Sequence, residues 1–334
     1  MATQKPTIDP STLQAFSNTA AGHEGVQLDE SGEMLIKPST QSEIDFYQNT
    51  LASHPEFAEL MPTFMGTLSL GSPALVADPA IAQVAGLTQE QKDQQKLHGA
   101  KIATETAIVL ENLEAGFKQP NVLDLKLGAK LYAPGTDTEK AARLDKVAAE
   151  TTSGSLNFRI AGMKVWNPKM KKVDTYDKFY GRTFKAENVN EGFETFFSSL
   201  YAEGVRTEDA AQLLETILAE ITKARHILEK TESRMFSASV LIVYEGDADA
   251  LNTLMGGEPA PRTEERAPTK GELKASYAEE DEEEEEGGPP TAFKVKLIDF
   301  AHAAWTPGQG KDENVITGLK NVEKQMDALI AKFD

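Results

Sequence analysis

The chain has 334 residues, no cysteine, 40% hydrophobic and 26% charged residues, and a formal net charge of −19. Such a composition predicts a soluble globular protein, folded as one large two-lobed domain or two ordinary ones. It excludes disulfide and thiol chemistry; with no apolar run of about 18 residues it excludes a membrane-spanning helix, and so acidic a chain is a poor general binder of nucleic acid, whose phosphates need clustered Lys and Arg.

In chain order, residues 1–21 are predicted to be a flexible N-terminus, and Met1 to Ser17 lacks the basic-then-apolar order of a signal peptide. A β-hairpin follows, with Val26 to Leu28 and Met34 to Lys37 flanking the turn Asp29-Glu30-Ser31-Gly32. A helix capped by Ser42 runs from about Glu43 to Ser53, and Phe64 to Leu70 alternates like a strand. Gly71 to Gln95 reads as a long loop with a short helical piece, and Thr104 to Leu110 as a buried strand. A mostly β lobe at residues 22–111 therefore ends near Glu111. In residues 112–334, Val122 to Leu127 and Asn157 to Trp166 are predicted strands, while Thr138 to Thr151, Asn188 to Tyr201 and Thr207 to Lys230 are predicted helices. Phe236 to Glu245 and Phe293 to Phe300 are apolar strands, and Glu313 to Phe333 is a final amphipathic helix. Between those two strands, residues 256–290 are rich in Pro, Gly, Glu and Lys and hold an unbroken acidic run of eight, Glu279 to Glu286. So little apolar surface cannot offset the ordering entropy, and a disordered acidic insertion is expected. A small β-rich lobe followed by a larger α+β lobe is the layout of a two-lobed, kinase-like ATP-binding fold.

Charge is unevenly spread. From Lys118 to Lys185 there are fourteen Lys or Arg against seven Asp or Glu, a local +7 in an acidic chain. Local field, not net charge, governs a site for a small polyanion. Phosphoryl transfer needs cations on the phosphates, a carboxylate for the metal, and a frame for the acceptor hydroxyl. Lys37 ends the second hairpin strand, and Glu43, six residues on, is placed to pair with it. Glu111-Asn112-Leu113 stands where a hinge would meet adenine through its backbone. Asp124 and Lys126 are two apart on a strand and so face one side; a plain surface ion pair is the alternative. Lys140, Arg143 and Lys146, spaced three apart, line roughly one helical face, which is an anion platform or simply a solvated one. Asp299 at a strand end suits Mg²⁺. His302, three residues on, is placed to touch substrate, or packs quietly. Ser239 offers the metal a hydroxyl, or is a plain strand residue. No Gly-x-Gly-x-x-Gly precedes Lys37 and no P-loop occurs anywhere.

Together these motifs resemble the inositol polyphosphate kinase family. Its P-x-x-x-D-x-K-x-G stands as Pro120 to Gly128, and its S-S-L-L strand as Ala238-Ser239-Val240-Leu241, departing at Ala238 and Val240. The D-F-A-H element is Asp299-Phe300-Ala301-His302, and Ser155 to Met163, within Thr151 to Lys164, resembles S-L-G-F-R-I-x-G-M, with Asn157 for the usual Gly. Tyr180-Gly181-Arg182 and Asp312-Glu313-Asn314 also match, and the resemblance spans about Gly22 to Val322. Within the family the chain looks most like a multikinase of the fungal type; the alternative is a hexakisphosphate kinase making pyrophosphates, which shares D-F-A-H. The resemblance implies ATP as co-substrate and Mg²⁺, with Lys37 on ATP phosphates, Glu111 and Leu113 on adenine, and Asp124 on ribose. It implies Asp299, with Ser239 second, on the metal, and Lys126, Lys140, Arg143, Lys146 and His302 on inositol phosphates, with an inositol-phosphate segment at about 134–187. Arg159 and Arg182 read as structural. The expected location is nucleus and cytoplasm, and the expected partners are ATP and inositol polyphosphates. A further expectation is a non-catalytic scaffold role in which the acidic insertion recruits basic transcription factors.

Overall fold

The computed structural model describes residues 13–16, 25–70, 104–256 and 291–332. The loop predicted at Gly71 to Gln95, and all but Gly256 of the acidic insertion, lie outside the described residues.

The N-terminal lobe is built on one antiparallel sheet. Its strands are β1 (Gln14–Ala15), β2 (Gln27–Leu28), β3 (Met34–Pro38), β4 (Phe64–Ser69) and β5 (Thr106–Glu111), in the order β1-β2-β3-β5-β4. The predicted hairpin is β2–β3, its turn held by Asp29, whose carboxylate accepts from the Met34 amide and the Ser31 hydroxyl. Gln14–Ala15 falls inside the segment expected to be a flexible N-terminus, yet pairs with β2 and places Phe16 over the cleft between the lobes. Helix α1 spans Gln41–Ser53 and short helix α2 Pro55–Ala58. The cap of α1 is Thr40, not Ser42: the Thr40 hydroxyl accepts from the Glu43 amide, while Ser42 donates across to the Ala301 carbonyl.

The C-terminal lobe carries a second antiparallel sheet. It comprises β6 (Pro120–Leu127), β7 (Phe158–Asn167), β8 (Lys172–Tyr176), β10 (Ser239–Glu245) and β11 (Phe293–Ile298), in the order β11-β10-β6-β7-β8. The predicted strand Phe236 to Glu245 starts later than expected, because Ser237 adopts φ +60°, where a β-ladder breaks. Upstream of that break Ser233–Met235 forms β9, which pairs with β12 (Ala303–Trp305).

Helices α3 (Thr138–Glu150), α4 (Thr152–Leu156), α5 (Lys178–Thr183), α6 (Asn190–Phe196), α7 (Thr207–Lys230), α8 (Ala248–Leu254) and α9 (Glu313–Ile330) complete the described lobe. The predicted helix Asn188 to Tyr201 ends as α6 followed by a 3₁₀ turn, Phe197–Tyr201. Because strand side chains alternate, Leu123, Leu125, Val240, Ile242 and Leu297 bury one sheet face in the main core, with Leu213, Ile217 and Leu319 of α7 and α9 in the same cluster. The other face is left to the cleft.

The two lobes share that core. Phe300 is fully buried, stacks on Phe46 of α1 at 4.8 Å, and meets Tyr47 and Phe57 edge-on. Burying such a ring is worth roughly 2–3 kcal/mol. Its neighbour Asp299 is thereby fixed at the seam.

Candidate functional site

In an antiparallel ladder, residues directly opposite each other lie on the same face. On β6, Val122, Asp124 and Lys126 face the cleft. Their partners on β10 are Val243, Leu241 and Ser239; on β7 they are Lys164, Gly162 and Arg159. The floor is therefore graded: apolar around Val122, Leu241 and Ile298, and charged around Lys126 and Arg159. The apolar end is roofed by Val26 and Leu35 and closed at the back by Leu110 to Leu113, forming a slot for a flat ring. Glu111 and Leu113 line it, where the hinge was expected, and Asp124, Lys37 and Asp299 follow along the same cleft.

The charged residues form one chain across the lobes. Lys37 Nζ is 2.9 Å from Glu43 Oε1 and 3.0 Å from Asp299 Oδ1; Lys126 Nζ is 3.0 Å from Asp299 Oδ2 and also donates to the Ser237 carbonyl. Glu43, buried, further accepts from Ser39 and the Phe300 amide. Burial pushes the Lys37 ammonium toward neutrality, but Glu43 and Asp299 outweigh it and hold its pKa above the ordinary lysine value. Asp299 sits at φ +68°, a left-handed conformation uncommon for a non-glycine residue and tolerated best by Asp and Asn. Such an outlier, held by the Phe300 anchor, is of the kind concentrated at active sites.

Asp124 is buried. Desolvation pushes its carboxyl up to about 6 against the opposing pull of Lys126, and Asp299 adds to the rise. Its Oδ1 and the Ser239 hydroxyl are both buried with no hydrogen-bond partner at full hydrogen-bonding geometry among the described residues, and the Ser239 hydroxyl lies close enough to the carboxyl to favour its charged form. Ser239 stands opposite Ile298 in the ladder, next to Asp299, and a buried unpartnered oxygen beside that carboxylate suits a hard divalent cation, since Mg²⁺ or Mn²⁺ is held by one or two carboxylates plus substrate phosphates. Among the described residues no cluster of three or more acidic or histidine side chains competes for that role.

The acceptor side opens beyond Lys126. Gly128, at φ +92°, ends the motif; a Cβ there would lie 2.3 Å from Asn314 Nδ2. That contact explains both residues: the Asn314 side chain accepts from the Ala129 and Lys130 amides and donates to the Lys130 carbonyl, clamping the loop that leads to α3. Lys140, Arg143 and Lys146 are exposed on α3. Lys140 lies near enough to His302 to lower that imidazole's pKa, after partial desolvation and together with Lys126. Lys146 pairs with Glu150 on its own helix at 3.8 Å, which makes it the member of the platform least tied to the cleft.

Arg159, read as structural from sequence, belongs to the cleft face instead. It stands opposite Lys126, donates to Ser153 Oγ at 2.8 Å, and has its pKa lowered to about 10, by burial and then by Arg182. Arg182 Nε is buried without a hydrogen-bond partner among the described residues. Two partly buried guanidiniums, Arg182 close enough to Arg159 to lower its affinity for protons, with Asp124 as the carboxylate acting on Arg159, leave room for a further anion at this end. Strict alternation along β7 puts Arg159 on the face away from Gly162 and Lys164; the bulge at Ala161 turns it to the side of Lys126, and no sequence signal marked that bulge.

A hinge slot, a lysine–glutamate pair, a metal-type aspartate at the lobe seam and a cation-lined far end define an ATP-dependent kinase with a small polyanionic acceptor. The sequence model for "Inositol polyphosphate kinase" matches residues 107–327, and the chain belongs to that family. It is 30% identical to the inositol polyphosphate multikinase of Saccharomyces cerevisiae, over 92% of this chain and 96% of that protein. Its fold is similar to the crystal structure of the S. cerevisiae inositol phosphate multikinase in complex with ADP and Mn²⁺, with a TM-score of 0.64, 28% identity, and coverage of 90% of this chain and 100% of that one. Similarity to mouse inositol hexakisphosphate kinase 3 is 33% but reaches only 64% of this chain and 48% of that protein.

Proposed function

We propose that the chain is an inositol polyphosphate multikinase that uses Mg²⁺-ATP to phosphorylate hydroxyls of inositol tris- and tetrakisphosphates. The observation that carries this reading is Asp299, held between Lys37 on the nucleotide side and Lys126 on the acceptor side. Adenine enters the slot at Glu111 to Leu113, Asp124 takes the ribose, and Lys37 exchanges Asp299 for donor phosphate oxygens. Asp299, with Ser239, holds the divalent metal, which when bound neutralises the charge gathering on the phosphates. Lys126 turns from Asp299 to the transferred group. Lys140, Arg143 and His302, with Arg159 and Arg182, hold acceptor phosphates; Lys146 adds long-range charge. No strong general base is needed, since a loose transition state asks mainly for alignment and charge neutralisation. An acceptor gripped by its phosphates can be held in more than one orientation, which suits successive phosphorylation. The extent of similarity to the yeast multikinase, set against partial overlap with the hexakisphosphate kinase, supports this reading over pyrophosphate synthesis. We further propose that the protein works in nucleus and cytoplasm, and that its acidic segment recruits basic partners.

The acceptor assignment predicts a clean split in kinetics. The double variant Lys140→Ala/Arg143→Ala should raise KM for inositol 1,4,5-trisphosphate at least about tenfold, the worth of one or two charge-assisted contacts, and leave KM for ATP within about twofold, because α3 does not reach the nucleotide slot. An equal rise in both constants would refute the platform.

A further inference from the structure

The nucleotide cleft contains a further carboxylate that no motif above absorbed. Glu114 directly follows the hinge and lines the cleft. Its backbone is fixed by Asn112, whose side-chain oxygen accepts the Glu114 amide at 3.1 Å and whose carbonyl accepts that of Ala115. Its carboxylate is held by Lys164, whose Nζ lies 2.5 Å from Oε2. Lys164 is 2% exposed, a degree of burial at which a lysine side chain is rare unless paired. It projects from β7 opposite Val122, on the cleft face, and its ammonium meets Glu114 on that face. Burial raises the Glu114 pKa and Lys164 opposes that rise.

The remaining oxygen, Glu114 Oε1, makes no hydrogen bond among the described residues, and neither does Asp124 Oδ1. Both carboxylates line one cleft, one arriving from the hinge and one from β6. Two anionic acceptors, each with an oxygen to spare, match a group that offers two adjacent hydroxyl donors. A single hydroxyl leaves one of them unpaired, and a phosphate is repelled by both.

We propose that Glu114 and Asp124 together bind the vicinal diol of the ATP ribose, with Lys164 as the positioning residue that holds and aims the Glu114 carboxylate. The pair selects ribonucleotides over deoxyribonucleotides. This rests on the nucleotide-site reading above and adds to it a specificity that Asp124 alone does not provide.

The test is nucleotide binding to the full-length protein by calorimetry with Mg²⁺, without acceptor, for ATP, 2′-deoxy-ATP and 3′-deoxy-ATP. In the wild type, at least one deoxy form should bind about tenfold or more weakly than ATP, as expected for one lost charge-assisted hydrogen bond. Because Glu114→Ala alone strands a buried ammonium, the decisive variant is Glu114→Ala/Lys164→Met, which removes the pair as a unit. In it, ATP affinity should fall to that of the affected deoxy form, while the affinity of that deoxy form stays within about twofold. Unchanged discrimination in the variant overturns the proposal, as does an equal loss for all three nucleotides, which is what a purely structural pair would give. Since no acceptor is present, an error in the acceptor assignment leaves this result untouched, whereas a protein that binds no ATP sinks both readings.

Discussion

Replacing Asp299 by asparagine abolishes phosphoryl transfer and leaves the protein folded. Both halves of that result follow from the site. Asp299 offers one carboxylate oxygen to each of two lysines across the lobe seam, and it is the residue assigned to the metal. Loss of one such electrostatic centre costs on the order of 10³-fold in kcat. The fold survives because asparagine tolerates the left-handed backbone at φ +68° and fills the same volume. Each lysine also keeps a second partner: Glu43 for Lys37, and the Ser237 carbonyl for Lys126. Turnover with inositol 1,4,5-trisphosphate and a thermal melt check the two halves. A variant retaining more than about a tenth of wild-type kcat would remove Asp299 from the metal site.

Lys126→Met is the second large effect, and it carries a signature in pH. The variant keeps the apolar stem and loses the ammonium that meets Asp299 and is proposed to meet the transferred group. A fall of about 10²- to 10³-fold in kcat is expected. Lys126 also favours the charged form of Asp124, whose carboxyl titrates at about 6. In the wild type, kcat/KM for ATP, which reports the free enzyme, should decline as pH drops through about 6, where Asp124 takes up a proton. Without Lys126 the charged form loses an attraction, so the Asp124 pKa rises and the acid limb must move to higher pH. A limb that stays in place or moves to lower pH contradicts the placement of Lys126 beside Asp124.

Much of this site was legible in the chain. Period-two spacing placed Asp124 and Lys126 on one strand face, and the structure puts them there. A separation of six positions between Lys37 and Glu43 was enough to foresee their pairing, because a strand end and the first turn of the next helix meet across a short connection. The cap of α1 was missed because Thr40 and Ser42 both precede the helical run; Thr40 and Glu43 carry the three-residue spacing of a capping box. Glu114 and Lys164 were not legible: they lie 50 residues apart, and the register of β7 against β6, with its bulge at Ala161, decides that they meet. Arg159 was hidden for the same reason. A side chain's face is readable within one strand, but its neighbours come from pairing that single-strand periodicity does not encode. Asn157 is a reverse case. Its appearance where the family pattern has glycine is explained by φ 54° at the end of α4, a left-handed position that asparagine fills more readily than most side chains.

The central claim is that one cleft joins an ATP slot to a site for partly phosphorylated inositol. The most direct measurement is to incubate the protein with Mg²⁺-ATP and, in parallel, with inositol 1,4,5-trisphosphate or inositol hexakisphosphate, and to separate the products. The account predicts conversion of the trisphosphate through a tetrakisphosphate to pentakisphosphate, with little turnover of the hexakisphosphate. Pyrophosphate products from the hexakisphosphate, with no pentakisphosphate from the trisphosphate, would contradict it.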